Sequence, residues 1–176
     1  MFKKQKLVSK KSKEKELYDA FAEKMLLLCY RYLNNLMDAE EVMHNGFLKV
    51  FSNMNSFNER HERSFEFWIK KIMVNESLMF LRKRTNFNLV SINEIKESEC
   101  ATYETHLNAL EESYLQMITD LPTGYRTVFN LFAIEGYSHK EVAELLQITE
   151  STSRSQLTKA RKLLQRKILT DESLYA

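Results

Sequence analysis

The sequence predicts an all-α protein of two small helical domains, a three-helix-type bundle and a helix-turn-helix, joined by a flexible acidic linker. Three observations carry that prediction. The 176 residues hold only three glycines and one proline, too few turn formers for a sandwich or barrel of short strands. Apolar residues recur at steps of three and four in both halves, the period that puts them on one helical face. Charge is segregated along the chain although the net value is only +2. Residues 1–16 carry seven Lys against two Glu, and residues 85–122 carry Lys96 alone against Glu94, Glu97, Glu99, Glu104, Glu111, Glu112 and Asp120. Residues 123–169 return to eight bases against four acids. An acidic middle between basic segments reads as a linker between two units that face nucleic acid.

Taken in order, residues 1–16 lack apolar periodicity and read as a mobile basic arm. From Leu17, the positions Phe21, Met25, Leu28, Tyr32 and Leu36 form a stripe that ends near Met37. Asp38 with Glu41 three residues on resembles a capping box, opening a second helix that buries Ala39, Met43, Phe47, Val50, Phe51 and Met54. A polar connection over 53–63 leads to a third helix from Ser64 through Phe65, Trp68, Ile69, Ile72 and Met79 to Arg82-Lys83-Arg84. These cations suit a helix C-terminus and a phosphate backbone alike. The first domain therefore spans 17–84, the acidic linker 85–106, the second domain 107–170 and a tail 171–176.

In the second domain Leu107, Leu110, Tyr114, Met117 and Ile118 restart a stripe, and Pro122 marks the first turn of a helix that buries Tyr125, Val128, Phe129 and Phe132 before Gly136 stops it. Tyr137-Ser138-His139-Lys140-Glu141-Val142 combines a capping box with a hydrophobic staple, so a helix starts there. Gln147-Ile148-Thr149 breaks the pattern, and a second cap at Thr149 opens a helix to about Ile168. Two helices, a short turn and small Ala143 at their crossing specify a helix-turn-helix. The second helix turns Leu157, Ala160, Leu163 and Leu164 inward and offers Arg154, Ser155, Thr158, Lys159, Arg161 and Lys162 outward. Its early residues would read base edges in the major groove, and its later cations would meet phosphates.

Several function classes are disfavoured. No apolar run reaches the eighteen or so residues needed to cross a bilayer, and no signal-peptide core follows the Lys-rich start, so a cytoplasmic protein without membrane insertion is expected. Cys29 and Cys100 form no C-x-x-C, and together with His44, His61, His106 and His139 they fit no ligand spacing. A metalloenzyme is thus the weaker reading, and no metal, cofactor, catalytic residue or small-molecule substrate is expected. A stand-alone helix-turn-helix regulator with an N-terminal effector or dimerisation domain is the runner-up.

The segments Leu121 to Phe129, Glu135 to Ala143 and Ser153 to Arg161 resemble region 4 of sigma-70 family factors, most closely the short extracytoplasmic-function (ECF) group. Asp38 to Val42 with Phe47 to Phe51 resembles region 2.2, and Phe65 to Asn75 with Trp68 resembles regions 2.3 and 2.4, so the resemblance covers about residues 17–168. It implies a factor that binds core RNA polymerase and directs promoter-specific initiation, with an anti-sigma factor as a candidate further partner. Asp38, Glu41, Phe47, Lys49 and Phe51 would face the polymerase, although Phe47 and Phe51 suit the domain core equally well. Asn58, Arg60, Arg63, Lys70, Lys71 and Asn75 would capture the unpaired non-template strand of the downstream (−10) element, with Trp68 a core anchor. Arg154, Ser155, Thr158 and Lys159 would read the upstream (−35) element as duplex, and Thr152, Arg161 and Lys162 would hold its phosphates. The acidic linker would thread towards the polymerase channels, where its charge mimics RNA. Two positions depart from the family pattern. Gln147 stands where glycine is common, at a strain of order 1 kcal/mol if its backbone is left-handed. Ser153 replaces an aliphatic residue, which permits a bond back to a helix carbonyl.

Overall fold

A computed structural model of the chain describes residues 2–57, 64–85 and 109–170. Seven α-helices are formed: α1 Phe2–Leu33, α2 Leu36–Asn53, α3 Ser64–Thr85, α4 Ala109–Thr119, α5 Thr123–Phe129, α6 His139–Leu146 and α7 Glu150–Thr170. A 3₁₀ turn, Met54–Ser56, follows α2, and a π-helical segment, Asn130–Ile134, continues α5. No strand occurs among the described residues.

The basic segment 1–16 is where sequence and structure differ most, because α1 begins at Phe2 rather than at Leu17. Residues 1–16 lack periodicity, but they also lack Gly and Pro and are rich in Lys, Gln and Glu, whose straight side chains lose little freedom in a helix. Propensity therefore extends a helix whose downstream half is held by packing. The helix ends earlier than expected, at Leu33, since Asn34 takes a left-handed φ of 51° and Asn35, not Asp38, caps α2 by accepting the Asp38 amide at 3.0 Å.

In the N-terminal bundle α1, α2 and α3 pack against one another around Met25, Leu28, Cys29, Tyr32, Val42, Met43, Phe47, Val50, Ile69, Met73 and Val74. Each large apolar side chain fully withdrawn from water there contributes about 1.5–3 kcal/mol. Gly46 lets α2 approach α3, since a Cβ at that position would lie 2.3 Å from the Met73 sulfur. In the C-terminal half α7 packs on α5 and α6 around Leu121, Val128, Leu131, Val142, Leu146 and Leu157.

The two halves meet at the C-terminal end of α1, which packs on α4 and α5. A helix leaves its last carbonyls without intrahelical donors. Here the Arg31 carbonyl accepts the Asn130 side-chain amide at 2.9 Å, and the Tyr32 carbonyl accepts Arg126 Nε at 3.2 Å. The Arg31 guanidinium pairs with Glu135 at 2.5 Å. Arg82, near the end of α3, donates to the Leu145 carbonyl of α6. One half thus completes the helix end of the other.

Candidate nucleic-acid interface

Local sequence builds the helix-turn-helix. Ser138 caps α6 in a full capping box: its backbone N–H donates to Glu141 Oε2 at 2.8 Å, and its hydroxyl accepts the Glu141 amide at 3.3 Å. Hydrogen bonds from Ser138 hold the Glu141 carboxyl below its ordinary pKa, and nearby Lys71 of α3 acts in the same direction. Gly136 takes the expected left-handed backbone, φ 79°. Gln147 does so too, at φ 55°, and its N–H returns to the Ala143 carbonyl. Thr149 then caps α7 by accepting the Thr152 amide at 3.0 Å.

On α7 Leu157 and Ala160 are buried, while Arg154, Ser155, Thr158, Lys159, Arg161 and Lys162 are all exposed, giving the two faces expected from the spacing. Arg154 is braced by Glu150 at 2.5 Å, one turn earlier. Lys159 lies 5.8 Å above the Tyr125 ring and Arg161 5.9 Å above the Phe132 ring, so both cations are steered by the domain beneath them. Thr152 is half-buried with its hydroxyl against Thr149. Ser153 is fully buried, and its hydroxyl meets His139 Nδ1 at 2.9 Å instead of a helix carbonyl. The His139 ring stacks on Phe132 at 4.2 Å, and burial lowers its pKa below the usual histidine value, with Arg154 adding to the effect.

Of the residues expected to capture an unpaired strand, Asn58, Arg60 and Arg63 lie outside the described residues. Lys71 and Asn75 are exposed one helical turn apart on α3, and Lys70 is half-buried, pairing with Glu66 at 3.3 Å. Trp68 is half-buried in an aromatic cluster with Phe57 and Phe65, at 5.2 and 5.7 Å, which anchors the start of α3 as expected.

The five positions expected to face polymerase divide. Asp38, Glu41 and Lys49 reach the surface of α2, with Asp38 paired to Arg84 and Lys49 to Glu76 at 2.6 Å. Phe47 does not: it is 2% exposed, packed against Tyr18 and Phe51, and belongs to the core. Phe51 is half-buried beside it. The apolar groups that α2 does expose are Met37, at 79%, and Leu48, at 63%. Sequence reasoning missed both because neither breaks the periodic pattern of its neighbours. Beside them a groove of about 440 Å³ runs between α2 and α3, lined by Asp38, Glu41, Asn45, Glu76, Met79 and Arg84. In the triplet Arg82-Lys83-Arg84, two cations are engaged within the protein, Arg82 by Leu145 and Arg84 by Asp38, so only Lys83 keeps the expected generic phosphate-contact role.

No helix among the described residues is long and apolar enough to cross a membrane, and no three His, Cys, Asp or Glu side chains converge as a metal site there. Cys29 is buried, and its desolvated thiol is pushed up to about 12.

A helical bundle followed by a helix-turn-helix with a basic outer face defines a DNA-binding protein of two cooperating parts. Comparison with known proteins narrows the class. Residues 17–87 match the model of Sigma-70 region 2, and residues 111–164 match that of Sigma-70, region 4. The ECF RNA polymerase sigma factor SigW of Bacillus subtilis is 27% identical over 166 residues, covering 87% of each chain. The ECF RNA polymerase sigma-E factor of Haemophilus influenzae is 26% identical over 168 residues, covering 86% of this chain and 85% of its own. The sigma factor RpoE of Bartonella quintana, solved with the anti-sigma factor NepR, shares the fold at a TM-score of 0.58 and 18% identity, covering 90% of this chain and 98% of its own. The chain belongs to the sigma-70 family, in its ECF group.

Proposed function

We propose that this protein binds core RNA polymerase in the cytoplasm and, without catalysis of its own, directs initiation at a set of promoters. The observation that carries the reading is α7: a doubly capped helix with Arg154, Ser155, Thr158 and Lys159 exposed along one face and Arg161 and Lys162 beside them. Side chains early on such a helix reach base edges in the major groove, where Arg meets guanine through two bonds, while later cations meet phosphates. The C-terminal domain, 107–170, thus docks on the upstream element as duplex. The N-terminal domain, 17–84, holds polymerase through α2 and the unpaired downstream strand through α3, where Lys71 and Asn75 supply a backbone cation and a base-edge amide. The segment 85–106 ties the two and enters the polymerase channels. Membership of the ECF group supports these roles, and an anti-sigma factor is a further partner of the same surfaces.

The test is a footprint with purified core polymerase on promoters found by sequencing the transcripts the pair makes from genomic DNA. Protection is expected only with both proteins present, over two separated elements. Protection of duplex by this protein alone, unchanged by polymerase, would favour a stand-alone regulator. Within that assay Arg154→Ala is expected to weaken upstream-element binding by about 1–3 kcal/mol and to relax base preference. Equal losses on specific and random duplex would make Arg154 a phosphate contact.

A further inference from the structure

On α3 a large aromatic ring stands in the row that already carries nucleic-acid chemistry. Phe67, Lys71 and Asn75 follow one another at steps of four, all three exposed, and residues so spaced are neighbours on a helix surface. Phe67 is 59% exposed, among the largest apolar exposures on the molecule. Its neighbours Phe65 and Trp68 pack with Phe57 and Phe21 into the aromatic cluster below, whereas the Phe67 ring has no aromatic partner among the described residues. What sits over it instead is a cation, the Lys70 ammonium, 6.0 Å from the ring centroid.

A single exposed apolar side chain is ordinary on a protein surface and requires no explanation alone. Here the ring is accompanied by two cations and an amide within two helical turns, and beneath it the aromatic cluster fixes the first turn of α3. A flat ring on a rigid base, flanked by ammonium groups, is the composition with which proteins hold single-stranded nucleic acid: the bases stack, and the cations follow the backbone. Duplex could not use the ring, because its bases are already stacked on one another.

We propose that Phe67 is the stacking platform for an unpaired base of the melted promoter strand, with Lys70 and Lys71 holding the adjoining phosphates. The inference rests on the initiation role proposed above. It adds a positioning residue that the polar candidates Lys70, Lys71 and Asn75 lack, and it places the energy for keeping the strand open in an apolar contact that salt screens weakly.

The experiment uses the full chain with core polymerase on one promoter identified as above, both fully paired and premelted by mismatches across the downstream element. Phe67→Ala and Phe67→Leu are expected to weaken binding to the premelted template about tenfold, the size of one lost base–aromatic stack, while Phe67→Trp stays within about twofold of the parent. Strand opening on the paired template should slow by a similar factor, and core association and thermal melting should not change. Parent-like binding by Phe67→Leu would overturn the proposal, since an apolar group without a π-face would then suffice. Loss of core association in the Ala and Leu variants would overturn it differently, by making the ring a polymerase contact. If the parent chain itself neither binds core nor opens any promoter, the initiation role fails and this inference fails with it.

Discussion

Arg126 is the largest fully buried side chain of the protein, and its value lies in fork geometry rather than charge. Its guanidinium donates to carbonyls of Thr119 at the end of α4, Leu121 in the following turn and Tyr32 at the end of α1. Arg126→Met keeps most of the stem but leaves these acceptors buried without donors, each at about 1–3 kcal/mol, so a loss of roughly 3 kcal/mol or more in urea unfolding is expected. Arg126→Lys should recover little, because a point charge cannot reproduce the fork. Losses below about 1 kcal/mol would mean that water replaces the guanidinium. His139 gives a pH-dependent counterpart. Burial first, and then Arg154 and Arg161, disfavour its imidazolium, while Glu150 acts the other way. Its pKa in the folded protein therefore lies below the unfolded value near 6.5. Between the two the unfolded chain binds more protons, so the stabilisation is complete above the unfolded value and is lost as pH falls through the folded one. Melting temperature should drop on acidification from about pH 7.5 to 5.5, and His139→Gln should flatten that part of the curve. An unchanged slope in the variant would assign the effect to other groups.

At the level of elements, the helix-turn-helix stores backbone strain at its turn. Gln147 holds φ 55°, where a side chain is disfavoured and glycine is not. Gln147→Gly is expected to stabilise the C-terminal half by about 0.5–1 kcal/mol, read as a higher unfolding midpoint with DNA contacts intact. A destabilised variant would show that the Gln147 side chain makes compensating contacts. This strain was legible in the sequence, as were the Ser138 capping box, the Thr149 cap, the start of α3 and the two faces of α7, because each depends on residues within one or two turns. Other features depend on contacts no local pattern contains. Arg126, Thr127 and Asn130 are buried although their types suggest surface, because they serve carbonyls, and for Arg126 and Asn130 some lie about a hundred residues away. Tyr125 and Phe129, read as core, are only half-buried beside them. Phe47 was ambiguous between core and polymerase surface until the packing of Tyr18 and Phe51 placed it inside. The helix over 2–16 was missed because periodicity was weighed above propensity.

Across the whole molecule, the join between the halves is built of polar contacts and is incompletely satisfied. The buried polar atoms Arg31 Nε, Tyr32 Oη and Asn130 Oδ1 lack hydrogen-bond partners, and all three belong to residues at this join. Buried groups left unpaired cost free energy that packing must offset, so an interface that gathers them is weaker than its contacts suggest. Polar interfaces between domains of one chain are accordingly the places where relative motion is expected. Initiation as proposed asks the halves to grip separate promoter elements, which makes ready parting an advantage. The Arg31–Glu135 pair, with side chains 19% and 11% exposed, is the ionic contact of the join. Glu135→Gln leaves a half-buried guanidinium with a neutral partner. Amide hydrogen exchange over residues 31–35 should accelerate roughly five- to tenfold, corresponding to a loss of about 1 kcal/mol or slightly more, while exchange within the cores of α2 and α7 stays unchanged. Association with polymerase should quicken in the same variant if separation of the halves precedes docking. Unaltered exchange would instead assign the join to Arg126 and Asn130, whose donors close the end of α1, and Asn130→Ala should then reproduce the acceleration that Glu135→Gln had failed to give.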